Sequence, residues 1–374
     1  MTYSITYKSS FYQKSFSQLA LLIGLSILPF AVFSAVPDGY PADYQKIIDD
    51  ANEEGKVVIY ATTDTKTVQP LIKDFNTLYP GIQVEYNDMN STEIYNRFIS
   101  EQAAGGASGD LVWNSSMDSG IKLATDFAMT YESPEVKHLP NWANYDNKAF
   151  GTTFEPVVIV YNKTLVPKDD VPRNLAELGK LIANNQETFK NKVTTYDIEK
   201  SAVGFMLAVQ DNIHHPDYFG LMKDLGSANL VVQSSVGTML ERISSGEMLI
   251  GYNLLGPYAE IKAKTDPALG IVYSDEYTLI VSRVAFISEA GEHPNAAKLW
   301  LDYLLSARGQ ALIADSAQLG AIRDDIPGPN GSKAITERIP GQVKPIPIDD
   351  SLLAFLEQTK RLNFINQWRD ATNK

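Results

Sequence analysis

Gly55-Lys56-Val57-Val58-Ile59-Tyr60-Ala61-Thr62-Thr63-Asp64-Thr65 runs from a helix stop through a β-branched run into a polar turn. The segment Tyr44 to Glu54 before it reads as a short helix that Gly55 ends. Val57 to Ala61 is then a buried strand by length and β-branching. Thr62 to Thr65 caps a helix reaching Tyr79, with Val68, Leu71, Ile72, Phe75 and Leu78 on one face and Pro80-Gly81 as its stop. The same unit then repeats twice. Ile82 to Tyr86 is a strand, and Asn90-Ser91-Thr92 opens a helix with Glu93 placed for a capping box. Asp110 to Trp113 is a third strand, and Asn114-Ser115-Ser116 leads into a helix over Asp118 to Phe127. Three strand–turn–helix units predict a parallel sheet with helices on its faces. Ligands of such sheets lie beyond the carboxyl ends of the strands, where the three polar turns converge.

Beyond residue 150 the pattern resumes. Val157 to Tyr161 is a strand preceded by Phe154-Glu155-Pro156, and Thr278 to Ile287 is its expected partner. Between them lie helices near Leu175–Asn184, Val203–Gln210 and Val236–Ser244, and a strand from Met248 to Tyr252. Pro294 to Leu305, Gly309 to Ala317 and Leu352 to Trp368 read as helices, with a Gly/Pro-rich connection over Pro327 to Pro347. The expectation is an α/β chain of two lobes. Residues 36–156 and 284–374 form the first and 157–283 the second. Crossings near 156–162 and 275–283 make a hinge around a ligand cleft.

Composition narrows the function. The chain has 374 residues, enough for about two domains. It has no cysteine, which removes disulfides, thiolate catalysis and Cys-ligated metals. Its net charge of −13 argues against a nucleic-acid binder. Residues 1–35 read as a cleaved export signal: Lys8 and Lys14, an apolar run from Leu19 to Phe33, then Ser34-Ala35. An exported, acidic, cysteine-free chain fits a bacterial periplasm.

Four stretches resemble the periplasmic solute-binding proteins of bacterial ABC importers, and within them the group of ferric-iron, phosphonate and sugar-phosphate binders. They are Gly55 to Thr63, Phe75-Asn76-Thr77-Leu78-Tyr79-Pro80-Gly81-Ile82-Gln83-Val84, Gly109-Asp110-Leu111-Val112-Trp113-Asn114-Ser115-Ser116-Met117-Asp118, and His293-Pro294-Asn295-Ala296-Ala297-Lys298-Leu299-Trp300-Leu301-Asp302-Tyr303-Leu304. The resemblance implies the two-lobed periplasmic-binding-protein fold of type II kind: two mixed sheets, flanking helices and a two-crossing hinge. It implies capture without chemistry by a monomer that needs no cofactor, and delivery to an inner-membrane permease. Ferric binders of the group present two adjacent tyrosines late in the second lobe and often a histidine after the first strand. Here Tyr252-Asn253-Leu254-Leu255-Gly256-Pro257-Tyr258 and Thr63-Asp64 stand in those places. A small anionic organic solute, such as a sugar phosphate or a phosphonate, is the favoured ligand. Ferric iron is one alternative, and a periplasmic sensor handing its state to a membrane kinase is the other.

Candidate contacts follow from the turns. Ser115 and Ser116 precede a helix, where hydroxyls and free N–H groups suit an anion; N-capping uses the same residues. Thr62, Thr63 and Asp64 follow the first strand, and a carboxylate there calls for a ligand hydroxyl or amine. Asn90, Ser91 and Thr92 follow the second. On the opposite wall, Tyr196 to Ser201 with Lys200, and Ser234-Ser235, open further helices, and Asn253 and Tyr258 flank a strand end. Arg283 interrupts an apolar run and requires a partner, either Glu155 across the hinge or the solute itself. Arg323 reads as a surface residue. No HExxH, P-loop or GxSxG pattern is present, and His214-His215 reads as a loop, so no enzyme and no metal site is expected.

Overall fold

A computed structural model describes residues 36–374 and, before them, only Ser4. The expected export signal therefore lies outside the described residues. Segment 44–151 contains α1 (Tyr44–Glu54), β1 (Lys56–Ala61), α2 (Thr65–Leu78), β2 (Gln83–Asp88), α3 (Ser91–Ala103), β3 (Leu111–Asn114), α4 (Met117–Phe127), β4 (Asn144–Tyr145) and β5 (Ala149–Gly151). β1 pairs in parallel with β2 and with β3, as the alternation requires. Gly55 closes α1 at φ 67°, a left-handed cap in which its N–H reaches Ala51 O. α3 opens with a full capping box: Asn90 Oδ1 accepts the Glu93 N–H at 2.9 Å and Glu93 Oε2 accepts the Asn90 N–H at 2.9 Å.

Segment 155–281 contains β6 (Glu155–Asn162), α5 (Leu175–Asn184), α6 (Gln186–Phe189), β7 (Val193–Tyr196), α7 (Ala202–His214), α8 (Tyr218–Ser227), β8 (Val231–Gln233), α9 (Val236–Ser244), β9 (Ile250–Leu255), α10 (Gly256–Thr265), β10 (Leu269–Val272) and β11 (Tyr277–Val281). Then follow β12 (Val284–Ile287), α11 (Pro294–Leu305), α12 (Ala307–Asp315), α13 (Ser332–Arg338), β13 (Gln342–Pro345) and α14 (Gln358–Thr372). Two mixed sheets result, ordered β2-β1-β3-β12-β5-β4 and β13-β11-β6-β9-β7-β8, with β10 also pairing β6.

Three local expectations differ. Thr278 to Ile287 is not one strand. β11 pairs with β6 in the second sheet, Ser282 and Arg283 form the crossing, and β12 pairs with β3 in the first. A charged side chain that must find Glu155 interrupts the strand at the passage between sheets. The other crossing falls over 152–154, earlier than expected, because all of β6 belongs to the second sheet. The chain also passes a third time. β13 pairs in parallel with β11, and α14 packs on α8, so these C-terminal elements join the second sheet rather than the first. Phe364 against Phe205 and Tyr218 seals that contact.

Two main apolar clusters form the core, one confined to the first sheet and its helices, the other running from the second sheet into α3, α4 and β12 of the first. Trp300, Phe75 and Tyr303 pack in the first, with Trp300 and Phe75 ring centroids 5.0 Å apart. α7 is buried along nearly its whole length in the second. No described helix is long and apolar enough to cross a membrane.

Candidate functional site

The two crossings lie side by side and bond to each other. Thr152 N–H donates to Arg283 O at 3.0 Å, and Arg283 N–H donates to Thr153 Oγ1 at 2.9 Å. The Arg283 guanidinium, 1 % exposed, gives Nε to Glu155 Oε1 at 2.7 Å and Nη2 to Glu155 Oε2 at 3.1 Å. Its remaining donors reach Thr63 Oγ1 at 2.9 Å and, more weakly, Thr62 Oγ1 and the Tyr258 hydroxyl, both at 3.4 Å. Burial alone pulls this guanidinium down, but the charge of Glu155 with Tyr258 outweighs it and holds the group firmly protonated.

Above Arg283 opens a cavity of about 320 Å³, at the low end of ordinary ligand pockets. The first sheet's side contributes Thr62, Asp64, Asp88, Asn90, Ser91 and Ser115. The second contributes Tyr196, Lys200, Ser201, Ser234, Ser235 and Tyr258. The sides touch where Thr92 Oγ1 donates to Lys200 O at 3.1 Å.

The starts of α2, α3, α7 and α9 meet here. Ser201 Oγ accepts from Gly204 N–H, and Ser235 Oγ accepts from Thr238 N–H, each at 3.2 Å. Each cap satisfies one of the four N–H groups that a helix start leaves open, and Ala202, Val203, Val236 and Gly237, the first residues of α7 and α9, line the cavity. α2 is capped differently. The Thr65 N–H goes to Asp88 Oδ2 at 2.9 Å, and the cap residue Asp64 makes no side-chain capping bond.

Three buried residues on the cavity wall, Ser91, Ser115 and Tyr196, at 6 %, 5 % and 2 % exposure, carry hydroxyls with no hydrogen-bond partner among the described residues. Burial pushes the Tyr196 phenol up, with Tyr258 adding to the effect and Arg283 opposing it. Burial raises Tyr258 to about 12, again against the pull of Arg283. Both are neutral phenols at ordinary pH.

Of the residues expected from sequence, Asp64, Ser91, Ser115, Ser201, Ser235, Tyr258 and Arg283 border the one cavity. Four others do not. Thr63 and Glu155 are buried behind it as partners of Arg283. Ser116 is fully buried and its hydroxyl donates to Asp118 Oδ1 at 2.5 Å. Asn253, at φ 63°, borders a separate small cavity and donates to Asp211 Oδ2 at 2.8 Å. Arg323 is buried rather than on the surface, bonded to Glu135 and Asp325. Asp88 was not anticipated, because β2 runs two residues past the strand end legible in the sequence. Among the described residues no group of three or more His, Cys, Asp or Glu is placed to hold a metal ion.

Residues 61–311 match the bacterial extracellular solute-binding protein family. The chain belongs to that family. The solute-binding protein is thus a capturing component and not an enzyme. Among solved structures, the substrate binding protein of the ABC transporter from Agrobacterium tumefaciens is 33 % identical, with TM-score 0.81, covering 85 % of this chain and 94 % of that one. Iron-bound HitA from Pseudomonas aeruginosa is 16 % identical at TM-score 0.66, covering 84 % and 99 %. AfuA from Actinobacillus pleuropneumoniae with fructose-6-phosphate bound is 17 % identical at TM-score 0.66, covering 85 % and 99 %. At those identities the last two share the fold alone. The comparison with curated proteins gave no match.

Proposed function

We propose that this chain is the periplasmic substrate-binding component of an ABC importer, and that it captures a small anionic organic solute of the sugar-phosphate or phosphonate class between its two lobes. The 33 % identity to the Agrobacterium tumefaciens substrate binding protein supports the transport role. The anionic class rests on the starts of α7 and α9 meeting the neutral phenols of Tyr196 and Tyr258 in one cavity, while the Arg283 charge is already matched by Glu155. Helix starts favour negative charge, and neutral phenols donate hydrogen bonds to it. A ferric ion favours anionic oxygen ligands, and the phenols of Tyr196 and Tyr258 would have to lose their protons to serve it. The lobes close on the solute and the closed form docks on a permease.

A thermal-shift screen tests this on protein unfolded and refolded to strip bound solute, against sugar phosphates, phosphonates, carboxylates and ferric citrate. A ligand of the native state raises Tm by mass action. Phosphorylated or phosphonate compounds are expected to raise Tm at micromolar concentration. A shift with ferric iron alone overturns the anionic class.

A further inference from the structure

The cavity is not uniformly suited to an anion. Its first-sheet side carries two carboxylates, Asp64 and Asp88. Asp88 is committed to the start of α2 through Thr65 N–H. Asp64 is not: it occupies the cap position, yet it makes no capping bond there and no ion pair. An N-cap aspartate ordinarily accepts from the second or third N–H of its helix. Here the Asp64 side chain accepts from neither, and it borders the cavity instead. A bare phosphate beside it meets repulsion. A hydrogen-bond donor beside it meets attraction. The opposite side has the reverse character: the starts of α7 and α9 at Ala202, Val203, Val236 and Gly237, with Tyr196, a residue 2 % exposed whose hydroxyl has no partner among the described residues, beside them on the wall. Ser91 and Ser115 add hydroxyls that both donate and accept, so they serve either end.

We infer that the solute is two-ended: a phosphate or phosphonate group seated on the starts of α7 and α9 beside Tyr196, and a hydrogen-bond-donating end, hydroxyl or ammonium, received by Asp64. This inference rests on the anionic reading above and adds to it the polarity of the site and the residue that selects for the second end. Asp64 is exposed and its side chain bonds to nothing in the fold, so its substitution leaves the folded protein intact.

The test is calorimetric titration of stripped protein with two sets of probes. Glucose 6-phosphate, glycerol 3-phosphate and phosphoethanolamine carry both ends, and the last separates ammonium from hydroxyl. Methylphosphonate and inorganic phosphate carry the anion only. At least one two-ended probe is expected to bind tenfold or more tighter than either simple anion. Asp64→Asn is expected to close that gap, weakening the two-ended probe about tenfold while leaving methylphosphonate unchanged or tighter. Tyr196→Phe is expected to weaken both sets. If the simple anions bind as tightly as every two-ended probe, or the gap survives in Asp64→Asn, the two-ended site is overturned and the anionic reading stands. If no probe of either set binds, both are overturned.

Discussion

Ser116 and Asp118 show how a single buried residue redirects a sequence argument. Ser116 looked like a ligand contact, and its neighbour Ser115 does face the cavity, but the Ser116 hydroxyl turns inward to Asp118. Burial pushes the Asp118 carboxyl up to about 6, against the bonds it accepts from Ser116 Oγ and Ser119 N–H. An aspartate in an unfolded chain titrates near about 3.9. Between those values the folded protein holds the proton and the unfolded chain does not, so this group's contribution to stability falls as pH rises through the window, and its cost is complete above pH 6. Two units correspond to at most ~3 kcal/mol. Both accepted bonds go to Oδ1, which an asparagine also offers. Asp118→Asn is therefore expected to be more stable than the parent by ~1–3 kcal/mol at pH 7.5, with the difference fading towards pH 4. Urea unfolding at the two pH values measures it, and a difference that does not change with pH would sink the account. His214, pushed down by burial, contributes a dependence of the opposite sign in both proteins and cancels in the comparison.

Elements were far more legible than contacts. The start of α3 was readable from Asn90 and Glu93, because a capping box is a local device with a fixed spacing. The division of β11 from β12 was not, because nothing local distinguishes a long strand carrying an arginine from two strands in different sheets. Pairing with Glu155, 128 residues away, makes that choice. The placing of Tyr196 was equally hidden. It depends on Gly204 in the first turn of α7: a Cβ at Gly204 falls 2.3 Å from Tyr196 Cβ and 2.9 Å from its Cγ. The ring packs against the start of α7 only because no side chain is there. Gly204→Ala gains up to ~1 kcal/mol of helix propensity but forces overpacking that costs ~1–3 kcal/mol. The helix start or the phenol has to move. The expected outcome is a Tm within several degrees of the parent and a loss of methylphosphonate binding of tenfold or more, read by thermal unfolding and titration. Unimpaired binding would mean that Tyr196 and the α7 start do not hold the anion.

Across the whole molecule, the two sides of the cavity are joined at the crossings, at the packing of α4 on α7, where Met117 N–H donates to Met206 Sδ at 3.2 Å, and at the mouth. At the crossings, Arg283 with Glu155, the Thr152 N–H to Arg283 O bond and the Arg283 N–H to Thr153 Oγ1 bond form a buried, fully bonded junction. At the mouth they meet through an exposed hydrogen bond from Thr92 Oγ1 to Lys200 O, while the Lys200 ammonium turns to Asp197 Oδ2 at 3.0 Å. A junction like the one at the crossings persists whether the lobes are apart or together, and a contact like the one at the mouth exists only when they are together. A solute shifts that balance only by binding the closed form better than the open one. Solute is therefore expected to reduce the radius of gyration in small-angle scattering. Thr92→Val keeps the shape of the side chain and removes the donor. An exposed hydrogen bond is worth ~0.5–1 kcal/mol, so the expected effect is a solute dissociation rate about threefold faster. The unfolding midpoint of the solute-free protein should not change. Stopped-flow release of the tightest probe from the panel measures the rate. A variant that releases solute at the parental rate would show that the mouth contact does not hold the closed form.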